Sequence, residues 1–336
     1  MSPVSRRNFL ILTGAAAAAA GCGRATASAG GGSETKTLRY QGSVGAVTPP
    51  ELAHDLGYLG DLKLDWVGNT ISGPQDIQSA ATGQTDFGGA FNGAVVKLVA
   101  AGAPVKAVIG YYGVDKYAYS GYYVLNNSTV HSARDLIGKK IGMNTLGAHS
   151  EALLDIYLQR NGLTAAEIGK VEPLVVPPVN TEQSLRQKQI EVGVLGGILR
   201  DTALARGGIR PLFTDYQLLG AFTAGTYVFT EKFLQRNPTT VQTFVTGVAK
   251  AIEWSRKTPR DEVVDRFTRI VKKRKRDESA DALKYWRSYG VTNTGGQITE
   301  KDFSLWTDWL TSHGDIKKGQ VKVSDLYTNQ YNKYGS

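Results

Sequence analysis

From Thr37 onward, short apolar runs alternate with longer stretches of helical period, and that alternation limits the chain to an α/β architecture. Residues 38–40 open as a strand, and residues 49–59 read as a helix whose two prolines suit a first turn. Residues 62–67 alternate as a strand does. Residues 72–82 read as a helix with Ser72 placed to cap it, and Asp86-Phe87 leads a strand into Gly88-Gly89. Residues 92–101 are helical and 105–112 extended. The rhythm restarts after Asn126-Asn127-Ser128, with helices expected over 132–137, 150–161 and 181–189. Strands alternate with them over 139–143, 174–176 and 192–195, the last ending in Gly196-Gly197. Residues 222–230 are extended, and from Glu231 the pattern is almost all helical. A mostly parallel sheet with helices on both faces is the expectation.

The two halves echo one another. Gly83-Gln84-Thr85-Asp86-Phe87-Gly88 follows the helix that starts at Ser72, and Lys188-Gln189-Ile190-Glu191-Val192-Gly193 follows the helix that starts at Thr181. Each unit is a helix end, a polar turn, an acid, then a strand running to a glycine pair. Two similar α/β lobes with a cleft between them fit this pattern.

The start of the chain has a different character. Ser5-Arg6-Arg7-Asn8-Phe9-Leu10 precedes an apolar run that ends in Ala15 to Ala20 and then Gly21-Cys22. A basic pair, a short apolar stretch and a small-residue exit form an export signal, and the run is too short to stay in a bilayer as a spanning helix. The Arg6-Arg7 pair resembles the twin-arginine signal. Ala19-Ala20-Gly21-Cys22 resembles a bacterial lipobox, with alanine where leucine is usual, so Cys22 is expected to carry a lipid. As the only cysteine it has no disulfide partner. The Gly-, Ala- and Ser-rich residues that follow compose a flexible tether.

The formal charge is +9. A basic surface suits nucleic acid, anionic lipid or an anionic solute. An exported chain meets little nucleic acid, and no helix-turn-helix or zinc spacing is present, so no nucleic-acid partner is expected. The densest basic run, Lys272-Lys273-Arg274-Lys275-Arg276, reads as a solvated helix end.

Val130-His131-Ser132-Ala133-Arg134-Asp135-Leu136-Ile137-Gly138-Lys139-Lys140-Ile141-Gly142 resembles the second-lobe entry of the nitrate/sulfonate/taurine-binding family of ABC-transporter substrate-binding proteins. Ala81-Thr82-Gly83-Gln84-Thr85-Asp86-Phe87-Gly88 resembles that family's first-lobe turn. Leu158-Gln159-Arg160-Asn161-Gly162-Leu163 and Thr230-Glu231-Lys232-Phe233-Leu234-Gln235-Arg236-Asn237-Pro238 resemble two of its helix boundaries. The chain departs from the family at Gly147-Ala148, where Gly-Ser is common, at Glu151, aligned with a histidine of many sulfonate binders, and at Lys188, which replaces a common glycine.

The resemblance implies a periplasmic-binding-protein type II-like fold, with two α/β lobes around a ligand cleft and a helical C-terminus. The expected division is an export signal over residues 1–21, a lipidated tether over 22–36, a first lobe from 37–125 plus 227–336, and a second lobe from 126–226. It also implies a monomer outside the cytoplasm, anchored to the membrane through Cys22 alone. It would deliver a small, anionic, sulfonate-like organic solute to ABC permease subunits, without a cofactor or a metal. The alternatives are an exported enzyme of the same fold acting on sulfur or pyrimidine compounds, or a solute-sensing lipoprotein that serves no transporter. Enzyme signatures are poor: there is no Gly-x-Ser-x-Gly, no Walker loop, and His54, His131, His149 and His313 are scattered without a cysteine partner.

In open α/β sheets, ligands sit beyond the carboxyl ends of strands, beside helix starts. The candidate contacts are Ser43 and Val44 after the first strand, and Gly88, Gly89, Phe91 and Asn92 around the third. In the second half they are Thr145, Leu146, Gly147 and His149, with Gly196 and Gly197 at a strand end. Glycines let backbone amides approach a ligand, and the hydroxyls of Ser43, Thr145 and Ser150 add hydrogen-bonding capacity. Tyr111, Tyr112, Tyr117, Tyr119, Tyr122 and Tyr123 crowd one stretch. Tyr111 and Tyr112 are expected to wall the cleft, because tyrosine offers an apolar face with a polar tip.

Overall fold

The computed structural model describes residues 33–334. The export signal, Cys22 and most of the tether lie outside the described residues. Ten strands are present among them: β1 (Thr37–Gly42), β2 (Lys63–Asn69), β3 (Phe87–Phe91), β4 (Val105–Val114), β5 (Ser120–Leu125), β6 (Lys140–Met143), β7 (Glu172–Val175), β8 (Val192–Gly196), β9 (Ile209–Thr214) and β10 (Phe222–Thr230). β1 pairs in parallel with β2. β10 lies between β3 and β4, antiparallel to both. The second system is a five-stranded sheet of order β7-β6-β8-β5-β9.

The sheets are therefore mixed, where the alternation of elements pointed to a mostly parallel arrangement. β6 runs parallel to β7 and β8, but β5 runs against β8 and β9. The reason is topological. The chain leaves the first system through β4, builds the second, and returns as β10 between β3 and β4. Local periodicity carries no record of such a return.

The helical echo is real in three dimensions. In the first unit Asp86 Oδ2 accepts the Arg39 amide at 2.7 Å, and the Asp86 amide donates to the Arg39 carbonyl at 2.9 Å. In the second, Glu191 Oε2 accepts the Lys140 amide at 2.9 Å, and the Glu191 amide donates to the Lys140 carbonyl at 3.0 Å. Each acid pins its turn to the neighbouring strand.

The helix Pro238–Lys257 is held by its apolar stripe, with Val241, Phe244, Val245, Val248 and Ile252 recurring at helical spacing and buried. Phe244 packs on Phe87 of β3 with ring centroids 4.6 Å apart. Truncating such a buried ring costs about 3–5 kcal/mol.

Three other expectations change. Helix does not fill the C-terminal region: only the short 3-10 turns Asp281–Tyr285 and Thr294–Gly296 lie between helices Arg260–Arg274 and Lys301–His313. Ser72 occupies the N-cap position of helix Gly73–Ala81 but makes no side-chain cap bond.

The basic run is a solvated helix end only in part: Lys272, Lys273 and Lys275 are exposed, but the two arginines are not. Lys275 adopts φ 52° and turns the chain back, so that the Arg274 and Arg276 side chains are largely covered. Arg274 donates to Glu51 at 2.9 Å and Arg276 to Glu51 at 2.7 Å, while the Arg276 guanidinium lies 4.4 Å from the Trp66 ring centre. The carboxylates compensate for desolvation that neither arginine could bear alone. The same cluster fixes the loop after β1: Arg274 donates to the Ala46 carbonyl at 2.8 Å, and Glu278 accepts the Gly45 amide at 2.6 Å.

Candidate ligand-binding cleft

Between the two sheet systems lies a cleft of about 370 Å3. One wall comes from β3 and β4 and is aromatic, with Phe91, Tyr111 and Tyr112. Tyr111 stacks on Tyr227 of β10 at 4.0 Å and meets Tyr112 edge-on at 4.9 Å. The other wall comes from the second sheet and its loops, with Ser120, Asn144, Thr145, His149, Ser150, Thr181 and Gly196 beside Pro178, Leu195 and Leu199. Phe91 and His149 approach across the cleft with ring centroids 5.2 Å apart. A larger hollow of about 500 Å3 lies elsewhere, among Arg256, Arg260, Arg287 and Trp286, on the outer side of the β4–β5 turn.

Of the residues expected to meet a ligand, the fold brings Phe91, Tyr111, Tyr112, Thr145, His149 and Gly196 onto this one cleft. Ser43 and Val44 do not line it, because the arginine and glutamate cluster holds their loop elsewhere. Gly88 and Gly89 serve packing. A Cβ at Gly88 would sit 2.4 Å from the Asp76 carbonyl oxygen, and one at Gly89 would sit 2.7 Å from Tyr227 and 2.8 Å from Tyr111. The Gly89 amide is engaged by Asp76 Oδ2 at 2.7 Å. Asn92 is fully buried and ties the Thr223 carbonyl, at 3.2 Å, to the Asp302 carbonyl, at 2.9 Å. Leu146, Gly147 and Gly197 border the cleft without lining it, and the Gly147 amide donates to the Glu151 carboxylate.

Sequence reasoning missed Ser120, Asn144, Pro178 and Thr181 in the wall, and two acids behind it. Pro178 lies in the Pro177-Pro178 pair between the strand expected over 174–176 and the helix expected over 181–189, a pair that signals only a break. Asp76 stands behind Gly89, its second oxygen buried without a hydrogen-bond partner, and burial pushes its pKa up to about 7. Asp215 stands behind Ser120 and accepts that residue's amide at 3.0 Å and the Tyr216 amide at 2.7 Å. Burial pushes Asp215 up to about 7 as well, against the lowering pull of those amides and of Arg200. Burial pushes His149 down to about 4, so its ring is neutral at ordinary pH.

Among the described residues, no lysine or arginine lines the cleft. Its polarity comes from helix starts instead. Helices Gly73–Ala81, His149–Arg160, Pro178–Arg186 and Gly197–Arg206 all begin at the cleft, and none has a side-chain cap bond. Away from it, Thr48, Thr164, Thr214 and Thr230 cap their helices with their side chains, while helices Pro238–Lys257, Arg260–Arg274 and Lys301–His313 also begin without such a bond. Uncapped starts leave donors unsatisfied and carry partial positive charge, which suits an acceptor-rich or anionic group. Among the described residues, no group of three or more His, Cys, Asp or Glu is placed to hold a metal ion. No described helix is long and apolar enough to cross a membrane.

A family model described as NMT1/THI5 like matches residues 47–262. The alkanesulfonate-binding protein SsuA from Xanthomonas axonopodis pv. citri, bound to MOPS, superposes with a TM-score of 0.68 at 20% identity, covering 88% of this chain and 99% of that one. The periplasmic aliphatic sulphonate binding protein SsuA from Escherichia coli gives a TM-score of 0.64 at 19% identity, over 87% and 92% of the two chains. The periplasmic nitrate-binding protein NrtA from Synechocystis PCC 6803 gives 0.70 at 13% identity, over 89% and 87%. At such identities the likeness is one of fold. A search of curated protein sequences finds no match.

Proposed function

The chain belongs to the NMT1/THI5-like family, and on that premise we propose that it is the extracytoplasmic solute-binding subunit of an ABC importer. The observation that carries this reading is the cleft itself, into which four uncapped helix starts open beside an aromatic wall. The solute is a small organic anion, sulfonate-like, whose head takes the helix-start donors and whose body packs on Tyr111, Tyr112 and Phe91. Two helix-start contacts of about 0.3–1 kcal/mol each orient the head. Burial of the body supplies most of the affinity. The first lobe is built on β1 to β4 with β10 and the second on β5 to β9, and the solute favours closure because it touches both.

The protein binds and releases its solute unchanged, as a monomer. It leaves the cytoplasm by the twin-arginine route through Arg6 and Arg7, and a lipid on Cys22 holds it at the membrane. A Cys22→Ala form should leave the membrane fraction. A thermal-shift panel of alkyl- and arylsulfonates, with nitrate and sulfate as bare-ion controls, tests the solute. A ligand at 100 times its Kd adds about 2.7 kcal/mol of stability. The reading predicts a rise with organic sulfonates and little with the bare ions; a product formed on incubation, or no response across the panel, counts against it.

A further inference from the structure

His149 is the one ring in the cleft with two chemically different edges. Its Nε2 is buried, makes no hydrogen bond, and lies 3.8 Å from Asp215 Oδ2. Its Nδ1 also makes no hydrogen bond but is not fully buried, and since the ring lines the cleft this is the nitrogen accessible from it. The ring is held by Phe91 at 5.2 Å, Phe222 at 5.9 Å and Trp306 at 6.2 Å, which leave it little freedom to turn over. A bare Nε2 lone pair facing a carboxylate oxygen would be repelled by it, whereas an Nε2–H is attracted. Burial raises Asp215 to about 7 in spite of the Ser120 and Tyr216 amides it receives, so above that pH it is ionised. The proton of the neutral imidazole therefore belongs on Nε2, and Nδ1 presents a lone pair to the cleft.

We propose that His149 reads the hydrogen-bonding character of the solute, its Nδ1 accepting an N–H or O–H from the solute while Asp215 holds the ring in the Nε2–H form. Asp215 is a positioning residue, acting through His149. This rests on the reading that the cleft holds the solute, and it narrows the class: an organic anion that also carries a hydroxyl or amino donor beside its apolar body. A solute without that donor would bury the Nδ1 lone pair unpaired and lose affinity.

Two measurements test the proposal separately from the function reading. The first needs no ligand. In the full-length 15N-labelled protein at pH 8, the His149 ring signals, assigned by their loss in His149→Phe, should be those of the neutral Nε2–H tautomer. In Asp215→Asn that preference should weaken. A Nδ1–H ring or an imidazolium in the unaltered protein overturns the proposal. The second compares the three hydroxybenzenesulfonate isomers with the matching methylbenzenesulfonates, of similar size and identical head. At least one hydroxy isomer should bind about tenfold tighter than its methyl partner, and His149→Phe should abolish that difference while keeping the ring contact with Phe91. Equal affinities throughout, or a preference that survives in His149→Phe, overturn the proposal. If none of the six binds, the sulfonate reading of the solute fails, and the tautomer still decides the role of His149.

Discussion

The two walls of the cleft are built on opposite plans. The first-sheet wall is over-determined. Tyr111 lies between Tyr112 and Tyr227, Gly89 has no room for a Cβ, and the Gly89 amide is already taken by Asp76. The rim of the second wall is open, although Gly196 within it packs closely on Ser120. A Cβ at Gly147 would meet only the flexible Lys97 Nζ at 3.3 Å, one at Gly197 would meet nothing within 4 Å, and Leu146 is 43% exposed. A packed aromatic wall fixes the shape a solute must have. A wall of loops, hydroxyls and uncapped helix starts can adjust its hydrogen bonds to what arrives.

The largest effect expected from this contrast lies beneath the first wall. Asp76 ionises near 3.8 when unfolded but near 7 when folded, because burial opposes its charge. Between those values the unfolded chain has shed the proton and the folded one keeps it, so stability falls as pH rises through that window and levels off above it. The contribution is about 4 kcal/mol at 1.36 kcal/mol per unit. Asp76→Asn, whose amide oxygen still accepts from Gly89, should therefore gain on the unaltered protein by that order between pH 4 and pH 8. Thermal melts across that range check it, and parallel curves would mean the site beneath the wall is wetter than it looks.

Next comes the asymmetry between the two glycines. Gly89→Val should cost roughly 3 kcal/mol of stability, the upper part of the range for overpacking, because two tyrosines must move. Gly147→Ala should cost only about 1–2 kcal/mol, the penalty for a side chain at φ 68°. Denaturant midpoints decide this, and equal costs would erase the distinction between the walls. Tyr111→Ala should weaken solute binding by about 1–3 kcal/mol through lost apolar burial, read by calorimetry with whichever sulfonate binds. Thr145→Ala, on the adjustable wall, should cost binding about 0.5–1 kcal/mol, since a neighbouring donor or water can replace one hydroxyl. A larger loss than that of Tyr111→Ala would reverse the roles assigned to the two sides.

Much of the fold was legible without coordinates, because its signals are local. Apolar periodicity located β4, β8, β10 and the helices beginning near Ser72 and Asn92 to within a residue or two. The turn acids Asp86 and Glu191 were legible as an echo, because each unit repeats one short pattern. Six expected contacts reach the cleft, and all lie on or next to the elements that border it: Phe91, Tyr111, Tyr112, Thr145, His149 and Gly196. Ser43 and Val44 do not, because their loop answers to Arg274 and Glu278, more than 200 residues away in sequence.

The sequence by itself determined that this chain alternates strand and helix, that it carries two similar units, and the bounds of their most periodic elements. Each of those facts depends on residues a few positions apart, over distances at which backbone preference and side-chain period act. Tertiary structure alone decided that β10 returns between β3 and β4, and that the glycine amides of the expected loops are occupied by Glu278, Asp76 and Glu151. It also decided that a neutral histidine faces the cleft with a carboxylate at its back. Those outcomes depend on which distant groups share a low-dielectric space, where an unpaired donor or charge is costly, and one-dimensional spacing does not encode that proximity.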